Sequence, residues 1–153
     1  MKLSKHLSLS EATFSRTAKE KGIDNTPNEK VIKALKNIAE NIFDPCREFI
    51  GAPLGINSGY RSVELNRAIK GATTSQHIMG EALDIDVDVY RNGKNSELFH
   101  FIKDNLDFDQ LIWEYGTDEE PSWVHVSLKA NGRNRKRVMR KRYGTSRYEN
   151  YVR

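Results

Sequence analysis

The stretch Ser58–Asp86, SGYRSVELNRAIKGATTSQHIMGEALDID, gathers the most unusual residues of this chain. It opens on the turn Ser58-Gly59-Tyr60-Arg61-Ser62, passes through Ser75-Gln76-His77, and ends on the alternating run Ala82-Leu83-Asp84-Ile85-Asp86. Alternation over 82–89 predicts a strand with Asp84, Asp86 and Asp88 on one face and Leu83, Ile85, Val87 and Val89 on the other. Three carboxylates on one face repel one another unless they are solvated or neutralised by a cation, so that face is either solvent or a polar cleft. Solvation is the plain reading for Asp86 and Asp88, with calcium a weaker alternative. Further along, Trp123-Val124-His125 lies in a second alternating run, with His125 on neither valine's face. Two His and one Asp are good zinc ligands, and three protein ligands leave a fourth position open, as catalytic zinc requires. Spacing alone leaves His77 and Asp84 only suggestive, because a His beside a turn is more often a hydrogen-bonded structural residue.

Outward from this stretch, the N-terminal side reads as helix. Ser8-Leu9-Ser10-Glu11 fits a capping box, predicting a short helix through Ala12–Lys21 that stops at Gly22. Val31, Ile32, Leu35, Ile38, Ala39 and Ile42 recur with a 3.6-residue period, which marks the main scaffold helix. Pro45 interrupts that helix, the pattern resumes at Cys46, Phe49 and Ile50, and Gly51 and Pro53 end it. Residues 54–57 read as a short strand, 63–69 as a short helix, and 95–106 as a helix capped by Asn95 or Ser96. Gln110–Tyr115 and Trp123–Leu128 read as two neighbouring strands. Asn131-Gly132 is a hairpin signal, which predicts that Lys136–Tyr143 pairs back as an edge strand blunted by its cations. Helices first and then neighbouring strands predict an α+β fold, a small, mostly antiparallel sheet with helices packed against it.

The length, 153 residues, suits one domain with a real core, and 37% apolar with 30% charged residues excludes a disordered chain. No apolar run approaches the roughly 18 residues of a transmembrane helix. The N-terminus lacks the apolar core of a secretory signal, which predicts cytoplasmic synthesis without a leader. Cys46 is the only cysteine, so no internal disulfide forms, and it reads as a small buried hydrophobe. The net charge of +4 is segregated. Ten Lys/Arg against Glu149 alone give residues 129–153 a net of +9, leaving 4 − 9 = −5 for the rest. A basic hairpin or tail over 129–153 therefore either faces a polyanion or only aids solubility.

Three blocks together carry a specific resemblance. Ser58-Gly59-Tyr60-Arg61-Ser62, then Ser75-Gln76-His77 with Gly80, Ala82, Asp84 and Ile85, then Trp123-Val124-His125, resemble the zinc D-alanyl-D-alanine carboxypeptidase family of metallopeptidases. That family has the hedgehog/DD-peptidase fold, and the chain is most similar to its compact phage-type, single-domain endolysins over about residues 8–128. The resemblance implies one zinc held by His77, Asp84 and His125, with Arg61 holding a substrate carboxylate or polarising the scissile carbonyl. Gly80 and Ala82 would let the backbone pass close to the metal loop. Ser75, Gln76 and Trp123 are the expected substrate contacts, Ser75 and Gln76 alternatively orienting His77. The implied activity is hydrolysis of an amide in peptidoglycan stem peptides, by a D,D-carboxypeptidase or by an L-Ala-D-Glu or cross-bridge endopeptidase.

The general base is where the pattern departs. Several members of the family have Glu three residues before the last His, where this chain has Ser122. Glu114, on the neighbouring predicted strand, is the first candidate, with Glu119 and Glu120 as runners-up. Without a base the chain would be an inactive wall-binding or partner-binding module, which is the alternative reading. Expected partners are peptidoglycan peptide and, through the tail, an anionic wall polymer, reached after release from the host cell or from a virion. Nucleic acid gripped by the tail ranks lowest, and a monomer is expected. His6 and His100 match nothing in the motif and read as structural.

Overall fold

The computed structural model describes residues 1–152. Helices α1 (Leu9–Thr13), α2 (Arg16–Lys21), α3 (Glu29–Ile38) and α4 (Asp44–Ile50) precede strand β1 (Gly55–Ser58) and helix α5 (Val63–Ala68). Then follow β2 (Ala82–Asp86), α6 (Asn95–Asn105), β3 (Gln110–Glu114), β4 (Trp123–Ser127), β5 (Arg137–Lys141) and β6 (Tyr148–Asn150). The six strands form one sheet in the order β1-β2-β4-β3-β5-β6, antiparallel except where β5 runs parallel to β3. This is the α+β architecture that the pattern predicts.

Alternation divides the sheet. Leu83, Ile85, Leu111, Trp113, Val124 and Val126 are buried and join Leu35, Ile38, Ile42, Leu98, Phe99 and Ile102 in one core. The strand register puts Asp84 beside His125 and His125 beside Ile112 on the other face, with Glu114 beside Trp123 one step along. One face thus holds the core and the other the chemistry.

Local chemistry explains where the elements differ from expectation. The helix expected over 12–21 is two helices, because Ser15 caps a second one through Ala18 N–H while Phe14 turns extended. The scaffold helix continues past Ile38 as a π turn, Ala39–Phe43, with Asp44 N–H reaching back to Ala39 O. The widening sits just ahead of Pro45, which cannot donate to the preceding turn. The strand expected over 82–89 stops at Asp86, whose carboxylate accepts from Asp88 N–H and folds 87–89 into a 3₁₀ turn. Asp88 therefore leaves the carboxylate face.

The cap expected from Asn95 or Ser96 comes from elsewhere. Asn95 is buried inside α6, accepting from Val87 N–H at 2.8 Å and donating to Asp86 Oδ1 and Ser122 O. Glu120 closes the helix start, taking Ser96 N–H at 3.1 Å and the Ser96 hydroxyl. The chain does turn at Asn131-Gly132, Gly132 adopting φ 77°. The segment after it does not pair back on β4, because β2 and β3 already flank that strand. It crosses to the open edge of β3 as parallel β5, and β6 then covers β5, so β6 rather than Lys136–Tyr143 is the edge.

Candidate metal centre

His77 is set by the 3₁₀ turn Gln76–Met79, which Ser75 caps by accepting from His77 N–H and Gly80 closes with φ 73°. A Cβ on Gly80 would meet Val31 at 2.8 Å, so glycine lets this turn rest on α3, which is a packing role rather than an approach to the metal loop. The turn Ser58–Ser62 lies against it, with Arg61 N–H donating to His77 O at 3.1 Å. Asn25 pins that turn from the helical side, bonding Thr13 O, Tyr60 O and Ser62 N–H. Gly59 has no room for a side chain, since a Cβ there would stand 2.1 Å from Ala12 O. Its carbonyl receives His77 Nδ1 at 2.6 Å.

That last bond fixes the imidazole. With Nδ1 donating to a carbonyl, the unprotonated nitrogen is Nε2, which points at Asp84 Oδ2 from 3.3 Å. Burial pushes His77 below the ordinary imidazole range against the pull of Asp84, so the ring is neutral. His77 Nε2 is buried and makes no hydrogen bond among the described residues. A lone pair therefore faces a carboxylate oxygen, an arrangement that repels unless a cation lies between them. His125 Nδ1 sits 2.9 Å from the other Asp84 oxygen, and the two imidazoles meet edge to face at 5.2 Å. Burial disfavours charge on Asp84, yet its carboxyl is held well below the usual range, the bond from His125 Nδ1 being one cause. One donor atom from each of His77, Asp84 and His125 lies within 4.8 Å of the others, a set that fits a divalent metal.

Arg61 borders the cluster with a guanidinium held on two sides. Nε donates to Ser58 Oγ and Nη1 to Asn66 Oδ1, both at 3.0 Å, while Nη2 stands 3.7 Å from Asp84 Oδ2. Asn66 was not apparent in the sequence, because its role depends on a fold that brings it back onto Arg61. Glu114 lies on the same sheet face as His125, one strand over and one step along. It is 8% exposed, and burial raises its carboxyl to about 7, with Asp84 adding to the rise and His125 opposing it.

The other candidates separate. Glu120 is committed to capping α6, and Glu119 is exposed in the β3–β4 loop. Gln76 donates to the buried Asp109 at 3.1 Å, so this amide braces the sheet instead of reaching into the cluster. Trp123 shares the face of Glu114 and packs edge-on against Tyr115 at 5.2 Å. His6 lies beside Glu48, and His100 joins the rings of Phe99, Trp113 and Tyr151, both away from the cluster.

Comparison with known proteins adds one finding. Residues 5–127 match the model of the family described as Peptidase M15. No curated protein matches the chain.

Proposed function

The chain belongs to the M15 peptidases, a family of zinc-dependent enzymes, and on that footing we propose that it hydrolyses an amide bond in the stem peptide of peptidoglycan. His77, Asp84 and His125 would hold one zinc ion, Arg61 would bind substrate, and Glu114 would act as general base. The observation that carries this reading is the neutral, buried His77 Nε2, without a hydrogen bond among the described residues and facing Asp84 Oδ2 at 3.3 Å, with His125 on the other oxygen. Such an arrangement is unfavourable for a structural triad and suited to a cation.

Zinc held there would polarise the scissile carbonyl and make a water acidic enough to attack it. The remaining chemistry falls to the chain. Glu114, with an affinity for protons balanced near neutrality, would take a proton from the attacking water and pass it to the leaving amine nitrogen. Its carboxylate comes from the strand beside the His125 strand, so Ser122 need not supply one. Arg61 is oriented by Ser58 and Asn66, and its remaining N–H groups would stabilise charge on the carbonyl oxygen or a substrate carboxylate. Release from a host cell or a virion would bring the enzyme to its wall substrate.

The test pairs metal content by plasma mass spectrometry with release of amino groups from purified peptidoglycan. One zinc per wild-type chain, lost in His77→Ala together with hydrolysis, is the expected result. Zinc without hydrolysis of walls from several bacteria would favour the binding module, and no zinc would overturn the reading.

A further inference from the structure

The family match ends at residue 127, but the sheet does not. Trp123 pairs with Glu114, Glu114 with Lys141 and Lys141 with Tyr148, so these four form a row across one face from β4 to β6. It is the face that carries Asp84 and His125 one step along. The C-terminal strands therefore extend the candidate site laterally, by residues that lie outside the matched segment.

Tyr148 is the member of this row placed to meet a ligand. Its ring lies under Lys141 Nζ, 5.2 Å from ring centroid to cation. Lys141 is nearly buried and also donates to Thr145 O, which ties the turn between β5 and β6. The ring is thus held from one side, while the residue as a whole remains 54% exposed. Its phenol interacts electrostatically with Glu114, Asp84 and Arg61, and Arg61 in turn with Tyr148. Its hydroxyl makes no hydrogen bond among the described residues. A phenol is protonated at neutral pH and is a good donor to oxygen.

We propose that β5 and β6 complete the substrate cleft, and that Tyr148 donates its hydroxyl proton to an oxygen of the bound peptide. This rests on reading the site as a peptidase. The acceptor is a peptide oxygen, either a backbone carbonyl or the terminal carboxylate. Tyr148 would thereby help select peptides whose acceptor oxygen extends along the sheet beyond Glu114.

The test uses the zinc-loaded full chain and Tyr148→Phe, which keeps the ring beneath Lys141 and removes only the hydroxyl. The probe is a D-Ala-D-Ala-terminated stem pentapeptide, with a free or an amidated C-terminus, and its affinity is measured by calorimetry beside kcat and KM. One lost hydrogen bond to peptide predicts roughly tenfold weaker binding, with the loss in KM rather than kcat and zinc content unchanged. A loss that vanishes with the amidated peptide identifies the carboxylate as acceptor, and one that persists identifies a carbonyl. Affinity within twofold of wild type overturns the proposal, as does a variant that loses zinc or unfolds early, which would make the hydroxyl structural. If the wild type binds the peptide without cleaving it, the peptidase reading fails while the affinity difference still decides the role of Tyr148. A wild type that neither binds nor cleaves overturns both.

Discussion

Replacing Glu114 with Gln removes one titratable proton and preserves the shape of the side chain. In the metal-free folded chain that carboxyl binds its proton up to about 7, against an ordinary 4.5, because burial disfavours its charge. The folded state therefore holds more protons than the unfolded state between those two values. The sign follows: the contribution of Glu114 to stability falls as pH rises from about 4.5 to 7, and is level above that. At about 1.4 kcal/mol per tenfold change in proton affinity, the whole window amounts to about 3 kcal/mol. Gln carries no such penalty. Relative to wild type at pH 4, Glu114→Gln should gain about 3 kcal/mol by pH 8.

Urea unfolding of both proteins in chelator at pH 4, 5, 6, 7 and 8 measures this directly, and the comparison cancels every other titrating group to first order. A difference that stays flat with pH would show that Glu114 is solvated in the folded chain and would remove it as a base tuned to neutrality. The same substitution in the zinc-loaded enzyme should lower kcat at least a hundredfold, the lower range for loss of a general base. Stability and activity thus move in opposite directions at pH 8. That pairing separates a strained catalytic carboxylate from one that simply supports the fold, whose removal would lower both.

Arg61→Lys keeps the charge but cannot bond Ser58 and Asn66 while pointing a planar donor at substrate, so kcat/KM should fall about a hundredfold with zinc content intact; a fall of less than threefold refutes the role. Asn95→Ala strands Val87 N–H and the Ser122 carbonyl in a buried junction, and should lower stability by about 2–3 kcal/mol in urea unfolding. A loss under 0.5 kcal/mol, on the order of a surface substitution, would mean that these groups find other partners.

What the sequence made legible follows from which partners lie close in the chain. Arg61, His77 and Asp84 fall within one stretch of 58–86, and His125 is marked by its own alternating run, so spacing makes the ligands suggestive and the resemblance of the three blocks supplies all four. Glu120 shows the opposite case. Its loop position fits a base as well as a cap, and only its contact with Ser96, across the fold, decides between them. The parallel docking of β5 was hidden for a similar reason: Asn131-Gly132 specifies a turn, but which sheet edge stands open depends on β2 having already taken the far side of β4. Counting charge by segment also misled in one respect. Residues 129–153 look like a free cationic arm, yet Arg135 is bound to the buried Asp109, Arg140 to Asp118 and Arg142 to Glu149. The excess of acid in the body and of base in the tail is in part the two halves of the first two pairs, Arg135–Asp109 and Arg140–Asp118. A truncation that removes 133–153 therefore strips two strands from the sheet and takes Arg135 from the buried Asp109, leaving Lys129 at 3.8 Å as its cation. Its loss of wall binding would say nothing about electrostatic attraction. Substituting Arg133 and Arg147 to Gln, which have no ion pair among the described residues, tests that attraction without dismantling the edge on which Tyr148 stands.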